Sequence, residues 1–357
     1  MATRIEIDRS VRLDHGAPGG HNRWHPDIEP VATVDPGEEV VFELRDARDR
    51  TLAPGTANEA LLTLPSLAHP LTGPVEVRGA EPGDVLEVDI LAYETDDNGW
   101  TGIWPGSGFL GDLFPDPFLA QWRIEDGVAL SEQVPGVAVR AAVFAGVIGV
   151  APSRKLFDGA LARERALADA GAEVALPDRN LAAPPSAADG LCTFPPRENG
   201  GNMDIRDLQA GSRLWLPVHV PGAMLSIGDL HFAQGDGEVC ISAIETGGTA
   251  TVRVGLRRDG WKPAFPCWQA PARPGRACFA TTGIPIDDEG NAADMNLNVA
   301  TRRALVEMLH WLGAEHGLAR EPAYVLMSAA VELRMSEVVD YPSPLVSALM
   351  PLDVFES

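Results

Sequence analysis

The chain has 357 residues, 45% of them hydrophobic and 22% charged, which is enough apolar material for a real core in one large domain or two. Against 28 basic residues stand 51 acidic ones. The resulting formal net charge of -23 is spread along the chain, which excludes nucleic-acid phosphates and anionic membrane surfaces as partners.

The opening residues carry Glu6, Asp8 and Arg9, so no apolar secretory signal is expected, and no segment approaches the roughly 20 apolar residues of a membrane helix. Next comes His21-Asn22-Arg23-Trp24-His25-Pro26-Asp27. On a helix the two histidines would form a metal pair, but Gly20 and Pro26 oppose a helix there. Three Pro-Gly pairs then mark strand starts: Pro36-Gly37 before residues 38–44, Pro82-Gly83 before 84–90, and Pro221-Gly222 before 223–227. Proline fixes φ at the first turn position, and glycine supplies the positive φ of the next.

Period-two alternation supports strands at Leu86, Val88 and Ile90, at Leu214, Leu216, Val218 and Val220, and at Val252, Val254 and Leu256. Pro217 inside its run points to an edge strand or a bulge. Residues 156–170 read as a helix, followed by an exposed Ala/Pro-rich loop to about 189. Near the C-terminus, Ala304, Leu305, Met308, Trp311 and Leu312 share a helical face, with Gly313 as the stop, and a further helix or strand pair follows at 322–340. The pattern predicts a mainly β fold with a β-sandwich-based core and a few helices added towards the C-terminus. It reads as one domain over 1–357, with 155–190 the place where it could subdivide. Cys192, Cys240, Cys267 and Cys278 are scattered without a C-x-x-C pair, which fits reduced thiols in the cytoplasm.

The richest polar segment is Gly228-Asp229-Leu230-His231 through Gln234-Gly235-Asp236-Gly237-Glu238. If extended, it points Asp229 and His231 to one face, where a carboxylate and an imidazole can hold a divalent ion. Asp236 and Glu238 follow among glycines as candidate acid/base groups. The alternative is a Gly-Asp-Gly hairpin turn in water. Four polar groups between apolar runs are costly unless paired or used. Upstream, Asn202 and Asp204 repeat the period-two spacing after Gly200-Gly201. Asp204 is a candidate ion ligand or a helix cap, and Asn202 a candidate amide-binding or oxyanion group. His69 stands at a turn, His219 lies in a strand, and His310 in the late helix reads as structural. No G-x-S-x-G, G-x-G-x-x-G or P-loop motif is present.

Taken together, the segments 21–28, 69–74, 79–84, 147–152, 195–204 and 228–238 resemble the acetamidase/formamidase family, in order from about residue 20 to 245. Met203 stands where formamidases of that family often have cysteine, and the tail from about 320 is atypical. The resemblance implies a cytoplasmic, homo-oligomeric enzyme that hydrolyses short amides to ammonia and a carboxylate with a divalent metal, zinc in first place and calcium as the other option. In that scheme Asp204, Asp229 and His231 bind the ion, Glu238 or Asp236 moves the proton, and Asn202 with His69 or His25 orients the amide. Two other readings stay open: a metal-stabilised β-sandwich that binds an amide-like ligand without turnover, and an amidase that uses its carboxylates alone.

Overall fold

The computed structural model describes residues 2–63, 65–271 and 276–355. The fold is mainly β, as the alternation predicts. Strands Glu39–Leu44, Val85–Thr95 and Gly248–Arg257 appear at the expected positions. In the second of these, Val88 and Ile90 are buried while Glu87 and Asp89 are only partly covered. Among the described residues, nine strands form one sheet and twelve a second. Val40, Phe42, Leu86, Val88, Val252 and Val254 of the first meet Val75, Ile148, Leu225, Ile227 and Leu230 of the second in one apolar cluster. That shared core fixes the two sheets against each other.

Strand Arg213–Pro217 runs between Val85–Thr95 and Cys267–Ala270, so it is interior rather than at an edge. Pro217 is tolerated because the strand ends there. Its last partner on the 267–270 side is Trp215 with Cys267, so the missing N–H breaks no ladder.

The late helix spans Leu297–His316 and passes through Gly313 to Gly317, whose φ of 65° caps it in the left-handed form. Ala300, Ala304, Met308 and Leu312 bury against Phe279 and Ala348 of the first sheet, and the Trp311 ring stacks on Phe279 at 4.1 Å. Gly283 allows this approach, since a Cβ there would lie 2.2 Å from the Ala300 carbonyl oxygen. A second helix, Arg320–Ala330, and a strand, Glu332–Glu337, follow.

The earlier helix spans Arg154–Asp169, capped by the Ser153 hydroxyl, and covers Trp24, Leu71 and Val147 with Phe157 and Ala160. The stretch after it is mostly loop, yet it is tied down: Asn22 and Arg23 donate to the carbonyls of Pro177, Asn180 and Leu181. All four cysteines are free.

Phe42 is fully buried within the shared core. Phe42→Ala is expected to cost about 3–5 kcal/mol, read as a lowered midpoint in urea unfolding. An unchanged midpoint would show that the two sheets do not depend on this contact.

Candidate active site

Strand Leu225–Ala233 lies inside the second sheet, between Phe144–Val150 and Ile244–Thr246. Leu225 and Ile227 point into the shared core, and strict alternation would send residues 229 and 231 after them. Asp229 instead has φ 57°, in the left-handed region. The phase switches there, so Leu230 joins the core while Asp229 and His231 share the other face. The polar pair escapes the core through one unusual backbone residue.

On that face the His231 ring is the hub. Its Nε2 lies 3.3 Å from Asp229 Oδ2 and 3.2 Å from Glu245 Oε2, and its Nδ1 lies 3.6 Å from Asp204 Oδ1. Gln234 sets the ring's orientation. Its Nε2 donates to the Asp204 carbonyl at 3.1 Å, so its Oε1, 2.9 Å from His231 Nδ1, accepts from that nitrogen. Nε2 is thereby left facing Asp229 and Glu245. Gly146 makes the space, because a Cβ there would stand 2.4 Å from Asp204 Oδ1 and 2.8 Å from Asp229 Oδ2.

Asp204 and Glu238 also have left-handed backbones, with φ 45° and 46°. The loop that carries Glu238 is pinned by the tail. Gly237 N–H donates to the Ser336 carbonyl at 3.0 Å, and Gly237 bridges Glu337. A cavity of about 180 Å³ opens on this cluster. Polar groups of His69, Asn202, Asp229, Glu238, Glu245 and Asp340 line it, with Trp100, Trp104 and Phe194 as apolar walls.

Asp204, Asp229, His231, Glu238, Asn202 and His69 are therefore brought together. The structure places two other candidates, Asp236 and His25, away from this cluster. Asp236 is exposed in the turn between Gly235 and Gly237, facing Arg334 at 3.5 Å and Arg206 at 4.0 Å, while the chain turns inward only at Glu238. His25 is buried against Phe157 of the helix Arg154–Asp169, ring centroids 5.2 Å apart, with Asp189 3.5 Å from its Nε2. The pairing of Arg23–Trp24 with Leu191–Cys192 carries it away from the cavity. Three acids not singled out by sequence reasoning join the cluster: Glu245, Glu337 and Asp340. Glu245 sits directly opposite His231 in register, a signal that alternation within one strand cannot supply.

Burial pushes Glu238 well above the usual carboxyl range, and the Asp204 charge adds to it. Burial also raises Asp204, to about 6, and Glu245, to about 8. Asp229 goes the other way despite burial, because the charges of His231 and His69 hold it low. Burial disfavours the His231 imidazolium, but Glu245 and Asp229 outweigh it and raise its pKa.

Both carboxylate oxygens of Asp204, Asp229 Oδ1, Glu245 Oε2 and His231 Nε2 are buried without a hydrogen-bond partner. Such orphans are costly unless a cation or proton meets them. The donor atoms of Asp229, His231 and Glu245 lie within 4.8 Å of one another, as do those of Asp204, His231 and Glu238. The first set uses the free Nε2, while Nδ1 is committed to Gln234, as a second-shell partner of a ligating histidine would be. The residues fit a divalent ion.

The family model of the acetamidases and formamidases matches residues 6–357. The chain belongs to this family. A formamidase of Methylophilus methylotrophus is 36% identical over 389 residues, which covers 100% of this chain and 94% of that one. An acetamidase of Mycolicibacterium smegmatis is 38% identical, covering 91% and 89%. Among solved structures, a gamma lactamase from Delftia acidovorans superposes with a TM-score of 0.71 at 32% identity, covering 100% and 94%. An acetamidase from Bacillus halodurans does so with 0.74 at 26%, covering 94% and 96%. The chain is an amidohydrolase, and the alternative of a protein that binds an amide-like ligand without turnover falls away. No helix among the described residues is long and apolar enough to cross a membrane.

The raised carboxyls give this amidohydrolase a pH-dependent stability. Asp204 and Glu245 hold protons in the folded chain that the unfolded chain releases above about pH 4–4.5. Folded protein therefore binds more protons between that point and about pH 8, and stability falls as pH rises through this window. Asp229, held low, contributes equally across it. Chelator-treated protein is expected to melt at a lower temperature at pH 8 than at pH 5.5, and added zinc to raise the melting temperature more at pH 8. Equal melting temperatures at both pH values, with no effect of zinc, would contradict this account.

Proposed function

We propose that this amidohydrolase acts on small linear amides of the formamide and acetamide type, releasing ammonia and a carboxylate, with a divalent ion held by Asp229, His231 and Glu245. The observation that carries the reading is the set of buried, unpartnered donor atoms around His231, on the wall of a small cavity. The imidazole nitrogen favours zinc over calcium, which prefers an all-oxygen shell. When bound, such an ion supplies carbonyl polarisation and a lowered pKa for water.

The chain's own groups do the rest. Glu238 lines the cavity, where it takes a proton from water and passes it to the leaving nitrogen. His69 lines the same wall and orients the amide. Trp100, Trp104 and Phe194 exclude water, and a space of about 180 Å³ suits a short acyl group. The four free thiols fit a reducing cytoplasm. The exposed Phe109, Leu110 and Leu113 fit a contact between copies in a homo-oligomer.

Ammonia release from formamide and acetamide, with and without chelator, tests the reading. Turnover is expected, and its loss on chelation is expected to be restored by zinc. Turnover that survives complete metal removal would favour an amidase working with carboxylates alone. His231→Ala should lose bound metal and turnover together. Glu238→Gln should keep the metal yet lose roughly 10²–10⁴-fold in kcat, while Asp236→Asn should stay within about twofold of the parent.

A further inference from the structure

Asn202 ends the strand Gly200–Asn202 and is buried, with one side-chain amide facing the cavity wall. Its two amide atoms have different fates. Nδ2 donates to Asp340 Oδ2 at 2.6 Å. Oδ1 is buried and has no partner. The orientation is set from the tail. Glu337 Oε2 accepts the backbone N–H groups of Val339 and Asp340, both at 2.9 Å, and this turn presents the Asp340 carboxyl to Asn202. Strand Glu332–Glu337 is itself anchored on Leu345–Pro351, so the chain of holders ends in the first sheet.

An oxyanion group must donate. One of the two Nδ2 hydrogens is committed to Asp340, whereas Oδ1 has no partner at all, so the wholly unmet atom of Asn202 is an acceptor. We infer that Asn202 Oδ1 accepts from the N–H of the substrate's amide nitrogen, and that Asp340 is the positioning residue that holds it in this orientation. The inference rests on the amide-hydrolase reading of this cavity and assigns a selectivity to it. The site recognises the amide by its NH2 and rejects the ester of the same acid, whose oxygen would leave Oδ1 facing another acceptor. An unmet buried polar group discriminates strongly between such analogues.

Acetamide and methyl acetate share an acyl group and differ in the leaving group, NH2 against OCH3, so kcat/KM is measured for both and the change in their ratio between parent and variant is read. Where the ester is not turned over, its inhibition constant against acetamide hydrolysis takes the place of kcat/KM. Asn202→Leu, or Asn202→Ala should the leucine variant not fold, is expected to lower the amide-to-ester preference at least about tenfold, by losing amide and sparing or gaining ester. Asp340→Ala should lower the same ratio, and Asp340→Asn, which keeps an acceptor for Nδ2, should preserve it. A role in fold stability alone would not move this ratio. If amide and ester fall together in Asn202→Leu with the ratio unchanged, Asn202 acts on the shared carbonyl and the inference is overturned. Absence of any acetamide turnover in the parent enzyme would instead sink the substrate reading beneath it.

Discussion

Six buried carboxyl groups share one cluster with a single imidazole, and the rest of the site follows from that. Asp204, Asp229, Glu238, Glu245, Glu337 and Asp340 are all within the protein, and the His231 imidazole, its pKa raised by Glu245 and Asp229, is buried with them. Six adjacent charges in a medium of low polarisability cannot all stay ionised without compensation. The cluster must take up protons, a metal cation, or both. The raised pKa values of Asp204, Glu245 and Glu238 express the first route, and the unpartnered donor atoms express the capacity for the second. An arrangement so unfavourable for stability makes sense where proton uptake and release are the task.

Holding such a cluster together takes a rigid frame. The two sheets meet in a single apolar core, and the site occupies the opposite face of one strand of the second sheet. Three of the acids sit on left-handed backbone, and Ile241 on the cavity wall does too, at φ 73°, which is rare for a β-branched residue. Each such position costs of order 1–3 kcal/mol. The surrounding packing sustains it, and the concentration of these residues round one cavity marks where the fold gives up stability to aim side chains.

Much of this was legible in the sequence. The Pro-Gly turns, the alternating strands and the capped helix at 154–169 follow local rules that the fold obeys. The pairing of Asp229 with His231 is also local, two residues apart on one face. What local pattern could not supply was register and inversion. Nothing in residues 228–238 shows that Glu245 lies opposite His231, because register belongs to the pair of strands. Nor does the alternation reveal that Asp229 inverts the phase of its strand. Asp236 looked as good as Glu238 in the linear pattern, and only the turn at Gly237 separates an exposed acid from a buried one. Asp340 lay outside the segments that carried the resemblance, and its reach to Asn202 spans 138 positions.

Gln234 shows how few contacts decide the chemistry. It bonds to the Asp204 carbonyl on one side and to His231 Nδ1 on the other, so one amide couples two acid-bearing segments. Had its amide been reversed, its NH2 would face the imidazole, Nδ1 would become the acceptor, and the Nε2 proton would point at Asp229 and Glu245. A neutral ring in that tautomer has no Nε2 lone pair for a cation beside those carboxylates. The carbonyl of Asp204, by accepting from Gln234, therefore selects which ring nitrogen carries the proton of the neutral imidazole. Asn202 and Asp340 repeat the device on the other wall, where one side of an amide is consumed so that the other is presented. In both places a planar group with one donor end and one acceptor end converts a backbone or carboxylate contact into a defined polarity at the cavity.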